Sequence, residues 1–294
     1  MTATPATAPA PAADAKPRTP RPRQRTAAYA APSVLRIGRA RAALELRQFF
    51  RDRRQVFFTF SMPIVMFLLL ASIFRDTYKD VGVTTQQIYV TGMLATGILS
   101  TCFQGLALQI GGERQNGTLK RLRATPMPPA SYFLGKIALV VVSSLGQAAV
   151  LLGLGAAFFG LDLPTAPGRW VTFAWVYLLG ATACTLLGIG ASNLIRGENG
   201  GPIVLLPIMV LQFISGVFVV FAELPKGMQT VSALFPLKWM CQGMRSVFLP
   251  DAYATMEPAG TWEHGRIALV LTAWVIIGFV VCTKWFRWKG RDEG

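Results

Sequence analysis

The sequence predicts an all-α polytopic membrane protein. It is expected to have six transmembrane helices, an N-terminal interfacial amphipathic helix, and outer re-entrant helices between the fifth and sixth spans. Three observations predict this. Hydrophobic residues make up 52% of the 294 and charged residues only 15%, a balance too apolar for a soluble chain of this size. Six apolar runs recur, near 56–74, 88–110, 134–160, 170–192, 203–221 and 266–286, each close to the ~20 residues that cross a hydrocarbon core as a helix. Basic residues gather between alternate runs, as they do in membrane proteins of fixed orientation. Helix is the expected form because lipid offers no partner to an unpaired backbone group.

Charge sets the orientation. The net charge is +15, which in a soluble chain would point to nucleic acid; here the membrane accounts for it, and no nucleic-acid partner is expected. With the amino terminus inside, 22 of the 29 Lys and Arg residues are cytosolic and 7 are outside, while the acidic residues divide 7 and 7. The inner face then carries the whole excess. The reading is a multi-pass protein of the cell membrane with both termini in the cytosol.

Taken in order, residues 1–33 are rich in Ala, Pro and Thr with interspersed Arg, too poor in apolar surface to offset the entropy of ordering, and read as a disordered cytosolic tail. One transmembrane domain, 34–294, follows. Over 34–54, Leu35, Ala42, Leu46, Phe49 and Phe50 share a helical stripe beside Arg36, Arg47, Arg51 and Arg54, the pattern of a connecting helix lying in the membrane interface. Pro63 and Pro207 fall inside spans and are expected to kink them. The outer segment 222–265 includes Val231 to Leu249, long enough to cross but carrying Pro236, Lys238, Gln242 and Arg245. Two short helices that dip in and return, broken near Pro236, fit it better than a span. Lys238 and Arg245 are expected to snorkel to the outer headgroups rather than to touch a substrate.

The four cysteines, Cys102, Cys184, Cys241 and Cys282, have no short paired spacing, so neither a disulfide framework nor a zinc site is expected. Two other classes of membrane protein lose on missing chemistry. An intramembrane serine hydrolase needs a Ser/His pair at depth, and the single histidine, His264, falls in the outer loop before the last run. A secondary transporter usually keeps an ionisable residue near the midplane, and no run here has one in its middle.

The loop 111–133 carries the sharpest signal. Glu113 and Gly117 precede Thr118-Leu119-Lys120-Arg121-Leu122, and Pro126, Pro128 and Pro129 forbid continuation. A one- or two-turn helix there would carry an apolar ridge of Thr118, Leu119 and Leu122 amid Lys120, Arg121 and Arg123, suited to a groove on a partner. Charge alone would explain the loop by the positive-inside rule. The run Glu113 to Leu119, then Leu122, Thr125-Pro126 and Gly135-Lys136, resembles the coupling-helix region of the ABC type-2 exporter permeases. Further along, Arg47 to Arg54 with Pro63 is similar to that family's connecting helix and first span. Ile214-Ser215-Gly216-Val217-Phe218, Leu224-Pro225 and Leu234-Phe235-Pro236-Leu237 are similar to its fifth span and outer re-entrant helices. The resemblance covers roughly residues 40 to 288, and the drug-resistance branch of the daunorubicin exporter type is nearest.

The resemblance implies a permease with six spans that pairs with a second permease copy or paralogue and binds two ABC ATPase subunits from the cytosol. Glu113, Asn116, Gly117, Thr118, Leu119, Arg121 and Leu122 would meet the ATPase. No catalytic, metal or cofactor residues are expected in this chain; ATP and Mg would be bound by the partner, because the 294 residues contain no G-x-x-x-x-G-K-[ST] phosphate loop. The family's route runs along its second and fifth spans, which nominates Thr96, Ser100, Phe103 and Gln104 on one and Met209, Gln212, Phe213 and Gly216 on the other. Polar side chains at that depth face protein or water in either case, so helix packing serves as well as substrate contact. The substrate expected is an amphiphilic or hydrophobic compound, a drug-like molecule or a lipid, exported across the membrane.

Overall fold

The computed structural model describes residues 33–74, 77–78, 81–125, 127–195, 197 and 200–285. The tail expected to be disordered lies outside the described residues except for Ser33, as do Pro126 and the basic end beyond residue 285.

Helix α1 (Val34–Arg51) begins where the Ser33 hydroxyl accepts from the Arg36 amide at 3.3 Å. Asp52 ends it and starts α2 (Arg53–Ile73), its carboxylate accepting from the amides of Arg54 and Gln55 at 3.1 Å each. A carboxylate at a helix amino end satisfies orphan amides and the helix dipole together, so one residue makes the elbow between α1 and α2. The face that α1 buries divides the expected stripe. Gly38, Glu45 and Phe49 are buried, whereas Leu35 and Phe50 are exposed. The helix seats on the protein through Phe49 and through Glu45, which meets the buried lysine of α6, while Leu35 and Phe50 stay on the open side.

After α2 come two short strands, β1 (Thr77–Tyr78) and β2 (Val83–Thr84), paired antiparallel with Thr77 opposite Thr84. Helix α3 (Thr85–Leu99) starts on a capping box between Thr84 and Gln87, and the Gln87 amide also donates to the Gly160 carbonyl at 2.6 Å. It continues through a π-helical turn at Ser100–Gly105 into α4 (Leu106–Gln115). There follow α5 (Thr118–Arg123), α6 (Pro129–Phe159), α7 (Pro167–Ala191), α8 (Gly201–Ile214), α9 (Lys226–Ala233), α10 (Pro236–Phe248) and α11 (His264–Trp285).

The core lies around α3, α7 and α10. Helix α10 packs on both of the others, α6 flanks α3, and α11 lies along α7. Gly188 permits a close approach of α7 to the π-helical turn: a Cβ there would stand 2.8 Å from the Phe103 carbonyl oxygen. Helix α2 buries only Pro63, Phe67 and Ala71. The outward faces of α2, α8 and α11 are lined with exposed Phe, Leu, Ile and Met, surfaces a water-soluble protein would not keep bare.

Among the described residues, five helices are long and apolar enough to cross a membrane: Arg53–Ile73, Thr85–Gln115, Pro129–Phe159, Pro167–Leu194 and His264–Trp285. This is a multi-pass membrane protein built of helices. The fifth expected span, 203–221, differs. Helix α8 has 14 residues and so is about 21 Å long, against about 30 Å of hydrocarbon. It stops because Gly216 turns left-handed at φ 74° and its carbonyl accepts from the Arg245 guanidinium at 2.6 Å instead of continuing the helix.

Helices α9 and α10 meet at Pro236, where the sequence placed the break. Arg245 and Lys238 depart from expectation: neither snorkels outward. Arg245 pairs with buried Glu257 at 2.5 Å. Lys238 donates to Gln242 at 2.5 Å and sits 3.7 Å over the Trp239 ring centroid. A guanidinium enclosed by protein needs an opposite charge, and Glu257, twelve residues on, returns to supply it. Arg169 at the start of α7 closes the segment by donating to the Leu249 carbonyl at 2.9 Å.

Candidate functional site

The loop between the second and third spans is a short helix on a charged base. Helix α4 runs to Gln115, and Gly117, at φ 70°, reverses the chain into α5. Leu119 is fully buried in the core cluster that also holds Ile110 and Tyr132, with Leu122 packed partly against the same cluster. Pro129 in the first turn of α6 costs nothing, because the amide it lacks has no partner inside a helix.

This geometry corrects one expectation. The Leu119–Leu122 ridge faces the body of the protein, since a six-residue helix holds its place only by burying its apolar side. The surface left outward is polar and basic: Asn116, Lys120, Arg121 and Arg123 are exposed, with Gly117 and Thr118 half-buried behind them.

Glu113 also points inward. Its carboxylate accepts from the Tyr132 hydroxyl at 2.7 Å and from the Lys136 ammonium at 2.5 Å. Lys136, fully buried, reaches Glu45 on α1 at 3.0 Å, and Glu45 pairs with Arg41 at 2.7 Å. The Lys136 and Arg41 charges lie 5.5 and 5.8 Å from the Tyr132 ring centroid. Two cations and two carboxylates balance, which is what allows the cluster to be buried. Gly135 lets α1 approach α6 this closely; a Cβ there would stand 2.6 Å from the Arg41 Cγ. On the other side Arg114 donates to the Ser192 carbonyl at 2.6 Å and to its hydroxyl at 3.1 Å. The end of α4, which leads into the loop helix, is therefore tied to α1 and α6 by charge and to the end of α7 by hydrogen bonds.

One Ser–His approach occurs, with His264 Nε2 3.1 Å from the Ser246 hydroxyl. That hydroxyl donates to the Gly243 carbonyl at 2.8 Å. Its one hydrogen is thus aimed away from the imidazole, as a helix-packing contact and not as an activated nucleophile.

The nominated route residues divide. Ser100 and Gln104 line one groove with the first turns of α2 and part of α6. Phe103 lines another cavity with Leu211 and Ile214. Thr96 is buried and lines neither, Gly216 is buried under Arg245, and Met209, Gln212 and Phe213 lie on α8 outside both cavities. The two sets do not converge within one chain. Sequence reasoning missed Arg41, Glu45 and Tyr132 and passed over the burial of Lys136. The available signal was Glu45, the one acidic residue of α1.

A family model described as ABC-2 type transporter matches residues 40–249. YvfS of Bacillus subtilis (strain 168), whose name proposes a transport permease, is 21% identical over 250 residues, covering 83% of this chain and 94% of the relative. The family-model match includes the loop helix and its charged base.

Proposed function

The chain belongs to the ABC-2 type transporter family, and on that premise we propose that it is the permease subunit of an ATP-driven exporter of amphiphilic or hydrophobic compounds. In this reading it works across the cytoplasmic membrane with both termini in the cytosol. Two copies, or this chain and a paralogue, pair in the membrane and bind two ATPase subunits that hold ATP and Mg. The exposed face of α5, with Asn116, Lys120, Arg121 and Arg123, meets the motor; Gly117 and Thr118 form its half-buried edge. Leu119 and Leu122 hold the helix down, and Glu113 is a positioning residue beneath it.

The observation that carries the reading is the buried cluster Glu113–Lys136–Glu45–Arg41, fixed by Tyr132. A push on an unanchored loop would be lost in bending. A push on α5 displaces α4 and α6 with it, α1 through Glu45, and α7 through Arg114. Closure of the ATPase dimer on nucleotide would in this way rock the helices between inward- and outward-facing states. Thr96, Ser100, Phe103, Gln104, Met209, Gln212, Phe213 and Gly216 remain the proposed route, with Met209, Gln212 and Phe213 offered from the α8 surface to a second copy.

Affinity purification of the full chain from its own membranes tests this. An ATPase bearing a phosphate loop should accompany the native chain and be lost from Arg121→Glu. Purified chain that moves substrate on an ion gradient, without ATP or an ATPase, would overturn the proposal in favour of a secondary transporter.

A further inference from the structure

A groove of about 290 Å³ opens between the α1–α2 elbow, the π-helical turn, α6 and the start of α8. Phe58, Met62 and Leu205 form part of its apolar wall; Gln55, Thr59, Ser100, Gln104 and Ser143 line it with amides and hydroxyls. No residue that lines it is charged. The side chains of Gln55, Thr59, Ser100 and Gln104 make no hydrogen bond to any described residue. Polar groups left open at membrane depth are costly unless something pairs with them.

The position of the groove is informative. It uses α2 from Gln55 to Pro63, which places it within about 15 Å of the elbow at Asp52, on the side of the basic helix α1. The π-helical turn supplies its inner wall through Ser100, Thr101, Gln104 and Gly105, while Phe103 of the same turn points into a second cavity of about 460 Å³. That second cavity is lined by apolar side chains from α7 to α11, among them Leu211, Ile214 and Trp274. A wide turn of this kind is a frequent mark of a functional site. Here it separates a groove with free hydrogen-bonding groups from one without.

We infer that the inner groove is a binding site, within one chain, for an uncharged amphiphile bearing hydroxyl or carbonyl groups. A cationic or anionic head would lose its hydration and find no opposite charge on the lining. Unpaired amides and hydroxyls offer what a neutral, oxygen-rich head requires, and the apolar wall takes the attached ring or chain. The volume suits one ring system or a chain segment rather than a whole large molecule. The inference deepens the permease reading and rests on it, naming the substrate class the chain would first admit.

The test uses the full chain in phosphatidylcholine nanodiscs, without ATP or ATPase, and a diazirine-bearing alkyl glucoside as probe. Labelling should saturate and map to residues 55–63 and 100–109. Unlabelled alkyl glucoside should displace it; alkyl trimethylammonium and alkyl sulfate of equal chain length should not. Gln104→Leu with Ser100→Ala should weaken labelling about tenfold, as the loss of one or two hydrogen bonds implies. Labelling that never saturates, or equal displacement by all three heads, would overturn the inference and mark the groove as ordinary lipid contact. The comparison of heads uses the native chain and so does not depend on whether a variant folds. Failure here, with ATP-driven transport by the complex intact, would refute the groove and leave the permease reading standing.

Discussion

Replacing Lys136 by Met keeps the side chain's length and removes its charge. Glu45 and Glu113 then lose an ion-pair partner at 3.0 and 2.5 Å, at a lysine wholly shielded from solvent. Neither is left bare, since Glu45 keeps Arg41 at 2.7 Å and Glu113 keeps the Tyr132 hydroxyl at 2.7 Å. Removing one member of a buried pair costs about 3–5 kcal/mol; the surviving partners put Lys136→Met near the lower end, about 3 kcal/mol, or roughly two decades in the unfolding equilibrium. Reversible unfolding of the full chain in mixed micelles reads this directly. Glu113→Gln keeps an acceptor for Tyr132 and needs no counter-charge, so the double variant should regain about 1–2 kcal/mol over Lys136→Met alone. A Lys136→Met chain within about 0.5 kcal/mol of the parent, or strict additivity in the double variant, would refute the idea that these charges act as one buried unit.

Three other outcomes are expected. Leu119→Ala should cost about 2–5 kcal/mol in the same unfolding assay, because the residue is fully buried, whereas Arg121→Glu, exposed on the same helix, should leave stability within about 0.5 kcal/mol. Gly216→Ala should destabilise the chain by about 1–2 kcal/mol. Its φ is 74° and a Cβ would stand 2.9 Å from the Arg245 guanidinium, so proteolysis of the outer segment should quicken. Arg245→Met should strand buried Glu257 at a cost of about 3–5 kcal/mol; the additional substitution Glu257→Gln should recover part of it, as the midpoint of thermal unfolding will show.

Much of the fold was legible in the sequence because hydropathy is additive along a helix. Five runs of about 20 apolar residues became five long helices, and the Pro236 break fell where proline's missing amide requires it. The fifth run misled for a physical reason. Ile203 to Phe221 is apolar but for Gln212 and Ser215, yet a left-handed glycine and a guanidinium from 29 residues away end the helix at Ile214. The loop helix was legible from Gly117 and the prolines, yet which side of it faces outward was not. Thr118, Leu119 and Leu122 have the same pattern whether they enter a partner or their own core. The ion cluster was hidden by distance along the chain: Lys136 meets Glu113 across 23 residues and Glu45 across 91. Composition reports its four charges as part of a basic surface, whereas pairing removes them from it.

In the proposed function a separate motor grips α5, and Glu113 and its partners carry the movement into the spans. The direct measurement is the ratio of substrate moved to ATP hydrolysed, in proteoliposomes holding the permease with its co-purified ATPase. The native complex should move substrate only with ATP. Glu113→Gln should still bind the ATPase and hydrolyse ATP while that ratio falls. Transport without ATP, or an unchanged ratio in Glu113→Gln, would contradict the account.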